Sequence, residues 1–130
     1  MTTTPNPEAF VAGLKTALSS MGAEVYDFWR DSVNPPCINT FMAQMPRDAT
    51  QHAEFVSVVM VGMDDEASGQ SQCYDIATQA ANLVDANHTL SGAVSSAWCR
   101  TFRNSRPWPV QEGRQRMWSL EVVWDVYLTP

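Results

Sequence analysis

A chain of 130 residues, 45% of them hydrophobic, is long enough to form one domain around its own core. A formal net charge of −6 argues against DNA binding driven by counterion release, and no apolar stretch reaches the ~20 residues that a membrane-spanning helix needs. Because the N-terminus lacks the basic start and apolar run of a signal peptide, we expect synthesis in the cytoplasm and no membrane association. We expect residues 1–6 to form a flexible arm and residues 7–130 a single domain.

The first predicted element is an amphipathic helix from Pro7 to Gly22. Asn6 has the side chain of an N-cap, Pro7 suits the first helical position, and Gly22 is a typical C-terminal stop. Apolar residues recur at helical spacing between these ends, at Phe10, Leu14, Leu18 and Met21. This stripe predicts one buried helix face.

Three strands are predicted next, over residues 24–29, 37–42 and 54–63. The third is almost continuously Val and Met. Such a run is typical of a strand that is buried on both faces, so we expect it at the centre of the sheet.

An acidic turn and a second amphipathic helix follow. The turn runs from Asp64 through Asp65 and Glu66 to Gly69, and the helix is predicted over about Gln70 to Asp85. One face of this helix is apolar, with Cys73, Ile76, Ala77, Ala80, Leu83 and Val84. The other face is polar, with Gln72, Asp75, Gln79 and Asn82.

Two further strands complete the predicted fold. The first spans residues 94–103, and a Pro-containing connection over residues 104–113 leads to the second. Strict alternation marks the apolar side of the last strand, at Trp118, Leu120, Val122, Trp124, Val126 and Leu128. The predicted order is therefore α-β-β-β-α-β-β. Two amphipathic helices need a sheet to cover, so we expect an α+β fold with a mostly antiparallel or mixed sheet packed by both helices.

The sequence contains no complete catalytic, cofactor or metal signature. Its three cysteines are an odd number without a CxxC pair, which is typical of free thiols. His52 and Glu54 match half of the zinc deaminase signature, but the Pro-Cys-x-x-Cys half does not follow downstream. The acidic turn lacks the alternating ligands of a calcium loop. We therefore predict that the protein is not an enzyme and holds no cofactor or metal.

Basic residues concentrate near the C-terminus. Residues 1–98 carry three basic and eleven acidic residues, whereas residues 99–130 carry five and three, an asymmetry that favours head-to-tail contacts between copies. Trp108 lies between two prolines with arginines nearby, a pattern typical of a protein–protein anchor and also of single-strand nucleic-acid binding. The acidic body favours a protein partner. The predicted interface residues are Arg103, Arg106, Trp108 and Arg114.

Several short segments occur in a recognisable order. They are Val25-Tyr26-Asp27 after the first helix, Pro35-Pro36-Cys37-Ile38, Val59-Met60-Val61 before the acidic turn, Leu83-Val84-Asp85 with Leu90-Ser91-Gly92, and Val126-Tyr127-Leu128. In order, spacing and total length, the chain resembles the tail terminator (minor tail protein U-like) family of long-tailed bacteriophages. The similarity spans about Pro7 to Leu128 and includes no catalytic motif.

This resemblance implies a virion structural protein of the tail and neck. It implies a homo-hexameric ring that caps the tail tube protein, ends tube polymerisation and joins the tail to the head-side connector or stopper protein. DNA would pass through the ring without specific binding, and Asp64, Asp65 and Glu66 are candidates for acidic residues that line the hole and repel phosphates. Two alternatives stay open: another neck protein, such as a stopper or head completion ring, or a small cytosolic α+β domain that binds a ligand or nucleic acid.

Overall fold

Two helices and five strands make up the part of the chain that the computed structural model describes, residues 7–26, 35–44, 52–62, 66–112 and 115–128. The predicted arm of residues 1–6 lies outside this part. In chain order the elements are α1 (Pro7–Ala17), β1 (Glu24–Tyr26), β2 (Cys37–Gln44), β3 (His52–Gly62), α2 (Glu66–Ala86), a 3₁₀ turn (Leu90–Gly92), β4 (Ser96–Glu112) and β5 (Gln115–Tyr127). The predicted α+β class and the order α-β-β-β-α-β-β are confirmed.

The five strands form one sheet in the order β1-β2-β3-β5-β4. β1 runs parallel to β2 and the other neighbouring pairs are antiparallel, so the sheet is mixed and mostly antiparallel, as predicted. β3 lies in the middle, and its side chains from Phe55 to Val61 are all buried. Its run of Val and Met residues therefore predicted its central position correctly.

The main core lies between the helices and one face of the sheet. Phe10, Leu14 and Leu18 of the predicted stripe are fully buried, and the rings of Phe10 and Phe55 have centroids 4.3 Å apart. The alternating apolar residues of β5 belong to the same core. Burying these side chains supplies most of the favourable free energy of folding, at ~25 cal/mol per Å² of apolar surface.

A buried hydrogen-bonded chain crosses the sheet beneath the helices. The Nε1–H of Trp124 donates to the Oγ of Ser57 at 2.7 Å, and the hydroxyls of Ser57 and Thr40 are 2.8 Å apart. All three residues are almost completely buried. Because a one-residue slip would move each partner to the opposite face, this chain helps to fix the register of β2, β3 and β5.

The opposite sheet face carries a second, smaller apolar cluster, made of Cys37, Val56, Val58, Met60, Met117 and Val123. Tyr26 and Val110 pack against it. Each of the six residues is at most 8% exposed. This half of the face is therefore shielded from solvent. The half around the C-terminal part of β5 is exposed to solvent and is described below.

Each predicted helix differs from the structure at one boundary. α1 ends at Ala17, since Leu18 already lies in a turn, and Gly22 has a φ of +67° five residues after the helix ends. α2 begins at Glu66, so Gly69 is helical and does not belong to a turn. A Cβ on Gly69 would lie 2.6 Å from Cδ1 of Trp118, which means that glycine here lets α2 approach the sheet closely.

The largest correction concerns residues 104–113, predicted as a long connection. β4 continues to Glu112, and Val110, Gln111 and Glu112 pair with β5. The prediction was wrong because prolines are typical of loops. β4 is an edge strand, so no neighbouring strand accepts hydrogen bonds on its outer side. Pro107 and Pro109, which lack an N–H group, are tolerated there because no hydrogen bond between strands is lost.

Candidate functional site

An insertion in β4 brings two predicted interface residues to the same side of the sheet. Arg103 is paired with Glu121 and Trp108 with Ser119, so residues 104–107 oppose Leu120 alone. In a regular strand, residues five positions apart point to opposite faces. Here their partners are two positions apart, and directly paired residues share a face. Arg103 and Trp108 therefore both lie on the face away from the helices.

We call the uncovered half of that face the open face, formed by His52, Glu54, Trp98, Arg100, Arg103, Trp108, Glu121, Asp125 and Tyr127. Register supports this grouping, since Trp98 is paired with Asp125 and His52 with Tyr127. Trp108 is 54% exposed and Tyr127 44% exposed, which makes them the most exposed large hydrophobic side chains among the described residues. The Oγ–H of Ser119 donates to the carbonyl of Trp108 at 3.1 Å and anchors the strand there.

Arginines and carboxylates form a connected network on the open face. Nη1 of Arg100 lies 2.7 Å from Oε2 of Glu54. The remaining contacts are longer: Arg100–Asp125 at 3.8 Å, Arg103–Glu54 at 3.7 Å and Arg103–Glu121 at 3.4 Å. The two arginine side chains are at least 50% exposed, whereas the three carboxylate side chains are at most 29% exposed. The guanidinium groups therefore lie outermost, above the carboxylates.

Aromatic rings border this network. The ring centroid of Tyr127 lies 5.2 Å from that of His52 and 5.5 Å from that of Trp98. Nε2 of His52 is also 3.1 Å from Oδ1 of Asp125, which connects the ring row to the charged network. His52, Trp98 and Tyr127 thus form a row of rings beside the ion pairs of Arg100 and Arg103.

The balance of charge argues for a protein partner over nucleic acid. Two arginines share three carboxylates, so the open face has no surplus of positive charge to neutralise phosphates. Half-exposed tryptophan, tyrosine and arginine side chains are the residue types that anchor protein–protein interfaces. The open face is therefore suited to contact with another protein.

The structure tests the predicted site residues unevenly. Arg103 and Trp108 lie on the same face of the sheet, and Glu66 is the first residue of α2. Asp64, Asp65 and Arg114 lie outside the described residues, as do the side chains of Glu66 and Arg106. The interface and lumen roles predicted for these residues, and the interface role of Arg103 and Trp108, stay predictions. Sequence reasoning missed Arg100, because the register shift beside it and its partner Glu54, 46 residues away, leave no local signal.

The three free cysteines, Cys37, Cys73 and Cys99, have thiols of low reactivity. Burial raises the pKa of Cys37 to about 11, with a further contribution from Glu24, and burial raises the pKa of Cys73 to about 12. Burial and the nearby Asp85 carboxylate raise the pKa of Cys99 to about 11. Because the thiolate is the nucleophile, all three are poor nucleophiles at neutral pH.

The two residues of the half-motif make structural contacts instead: His52 hydrogen-bonds to Asp125, and Glu54 forms an ion pair with Arg100. In the part of the chain that the structure describes, no three His, Cys, Asp or Glu side chains are grouped as metal ligands. Over the same residues, no helix has the length and apolar character to cross a bilayer.

No protein-family model and no curated protein matches this chain. The function is therefore proposed from the residues and their geometry.

Proposed function

We propose that this protein is the tail terminator of a long-tailed bacteriophage. It forms a homo-hexameric ring that caps the tail tube, stops the addition of tube subunits and then offers its other side to the head-side connector. It works by surface complementarity and makes or breaks no covalent bond.

The sequence segments behind the resemblance coincide with folded elements, which supports this proposal. Val25-Tyr26 lies in β1 after the amphipathic α1, and Val59-Met60-Val61 lies in the central strand β3. Leu83-Val84-Asp85 closes α2, and Val126-Tyr127 ends β5. The motifs are thus elements of one continuous fold in the expected order.

The open face is the observation on which the proposal most depends. The insertion of residues 104–107 turns Trp108, which is 54% exposed, to the same side of the sheet as Arg103 and its ion pair with Glu121. A protein that acts through contacts needs a surface of this kind, because exposed aromatic and arginine side chains contribute most of the free energy of binding.

Passage of DNA through the ring requires a surface that does not retain phosphates. We propose that the acidic residues Asp64, Asp65 and Glu66, of which Glu66 begins α2, face the central hole. Repulsion between carboxylates and the phosphate backbone would let the duplex slide without binding.

The test is complementation of a gene deletion in the phage, with tail length measured by electron microscopy. Deletion should give tubes that exceed the proper length and lack heads, and the wild-type gene should restore normal tails. Trp108→Ala and the double variant Arg103→Ala with Arg106→Ala should restore tails poorly while they keep the wild-type unfolding temperature. Lys15→Ala, an exposed position on α1, is the matched control.

Two outcomes would contradict the proposal. Tubes of normal length that merely fail to join heads would indicate a stopper or head completion protein. Full complementation by the Trp108 and arginine variants would remove the open face from assembly.

A further inference from the structure

We propose that the N-terminal arm, residues 1–6 of one copy, binds an apolar pocket on the next copy of the ring. This inference rests on the proposed function and deepens it by naming one contact between neighbouring subunits. The pocket lies where the start of α2 meets the edge strand β4, and we call it the tryptophan–proline pocket. It is lined by Gln70, Pro107, Trp108, Pro109 and Trp118.

The tryptophan–proline pocket suits a small uncharged group. Its volume is about 330 Å³, near the lower limit of sites that hold small ligands, and none of the lining side chains is charged. Trp118 is partly exposed, but its Nε1 is buried without a hydrogen-bond partner among the described residues. The part of its ring that a ligand meets is therefore carbon. Gln70 supplies an amide that can hydrogen-bond to a peptide backbone.

Proline is the residue type that this lining favours most. Tryptophan and proline rings offer flat carbon surfaces, and aromatic-lined grooves in other proteins hold the prolines of extended peptides. The N-terminal arm reads Met-Thr-Thr-Thr-Pro-Asn and has no charged side chain. Because Pro5 restricts Thr4 to extended conformations, this part of the arm loses little backbone entropy on binding. In size, charge and conformation, Pro5 and its neighbours match the pocket.

The arm cannot bring Pro5 to the pocket of its own copy. Near the start of α1, the ring of Phe10 packs on that of Phe55, with centroids 4.3 Å apart. Trp118 is paired with Val61, six residues further along β3, a separation of ~20 Å at ~3.3 Å per residue. Pro5 precedes the first residue of α1 by two positions, a reach of ~7 Å at most. The pocket that Pro5 enters must therefore belong to another copy.

Such a contact is heterologous, because one copy contributes its arm and the next its pocket. An unused arm remains at one end and an unused pocket at the other, so addition continues until rotation closes a ring. Neither surface carries a charged side chain, so a high salt concentration should leave self-association nearly unchanged. Loss of self-association in high salt would indicate an ionic contact and would contradict the inference.

Disulfide trapping between two preparations tests the contact directly. One preparation carries Thr4→Cys and the other Gln70→Cys, so a bond between the introduced thiols joins different copies. Oxidised glutathione is the oxidant, and the three native thiols compete poorly because burial raises their pKa values. We expect covalent dimers linked through positions 4 and 70. Lys15→Cys, at an exposed position on α1, is the matched control for Gln70→Cys and should give about tenfold fewer dimers.

Three outcomes of the trapping experiment would overturn the inference. The first is an equal yield of dimers from Gln70→Cys and Lys15→Cys, and the second is the absence of dimers at millimolar protein concentration. The third is a disulfide within one chain that carries both Thr4→Cys and Gln70→Cys, because the arm would then occupy its own pocket.

A second test places a carboxylate on each side of the contact. Pro5→Glu and Pro109→Glu should each weaken self-association about tenfold by sedimentation, because burial of an unpaired charge is unfavourable. The double variant should lose little more than either single variant, since both changes remove the same contact. Ala12→Glu adds the same charge at an exposed position on α1 and should leave association unchanged. Fully additive losses in variants that keep the wild-type unfolding temperature would show that the two residues do not meet.

Failure of the arm contact and failure of the proposed function give different results. Tail length in the deletion strain decides whether the protein is a terminator, whichever contact closes its ring. If the wild-type gene restores normal tails while Pro5→Glu associates as strongly as wild type, the arm contact alone is wrong.

Discussion

Ser57→Ala should destabilise the protein more than its loss of a single oxygen atom suggests. The Ser57 hydroxyl accepts the Nε1–H of Trp124 at 2.7 Å and is bonded to Thr40 Oγ1 at 2.8 Å. Removing it leaves two polar groups unpaired in a region where Trp124 is fully buried and Thr40 is 1% exposed. Neither group can reach bulk water in the folded state.

The expected cost follows from these two groups. A buried group that loses its hydrogen-bond partner costs ~1–3 kcal/mol, so the two groups together put the cost of Ser57→Ala at about 2–6 kcal/mol. Thr40→Val removes one hydroxyl but leaves the Trp124 N–H bonded to Ser57, so it should cost only about 1 kcal/mol. The double variant should cost less than the sum, because the two residues share one hydrogen bond.

Equilibrium unfolding in urea measures these differences. The midpoint should fall for Ser57→Ala while the denaturant slope stays unchanged, since the unfolded surface is nearly the same. Ser119→Ala is the matched control, because Ser119 also bonds across strands but lies partly exposed. A loss below ~0.5 kcal/mol for Ser57→Ala, or an equal loss for Thr40→Val, would refute the reasoning.

Three further predictions follow from the packing and charges. Gly69→Ala should lower the free energy of unfolding by about 1–3 kcal/mol, although alanine favours helix formation, because the added Cβ would lie 2.6 Å from Trp118. Ser71→Ala on the same helix is the control and should leave the unfolding temperature nearly unchanged. Arg100→Ala should cost under ~1 kcal/mol, a loss that shrinks in high salt, since the residue is 53% exposed. The pKa values of the three thiols are higher in the folded protein than in the unfolded chain, so the thiols of the unfolded chain ionise first as pH rises. Unfolding measured against pH should therefore show full stability below pH 9 and a loss of stability from about pH 9 towards 11–12. This loss should disappear when Cys37, Cys73 and Cys99 are replaced by alanine.

The parts of the fold that follow from local patterns were predictable from the sequence. The apolar stripe of α1, the Val and Met run of β3 and the strict alternation of β5 each reflect which side of one element is buried. The patterns match the structure because the apolar side chains that form them are the ones whose burial stabilises each element. They were enough to predict the class and the order of elements.

Non-local pairing explains what the sequence did not reveal. Residues 104–113 have the prolines of a loop, yet pairing with β5 keeps much of this stretch in a strand. Whether Arg103 and Trp108 share a face depends on the register shift between them, which no local pattern encodes. The contact of Arg100 with Glu54 joins residues 46 positions apart. The candidate site was therefore predictable in composition but not in geometry.

The location of the polypeptide in the finished phage particle tests the central claim most directly. A cryo-electron microscopy reconstruction of the neck should contain a ring of this fold between the last layer of the tail tube and the head-side connector. A particle whose neck lacks this polypeptide would contradict the account.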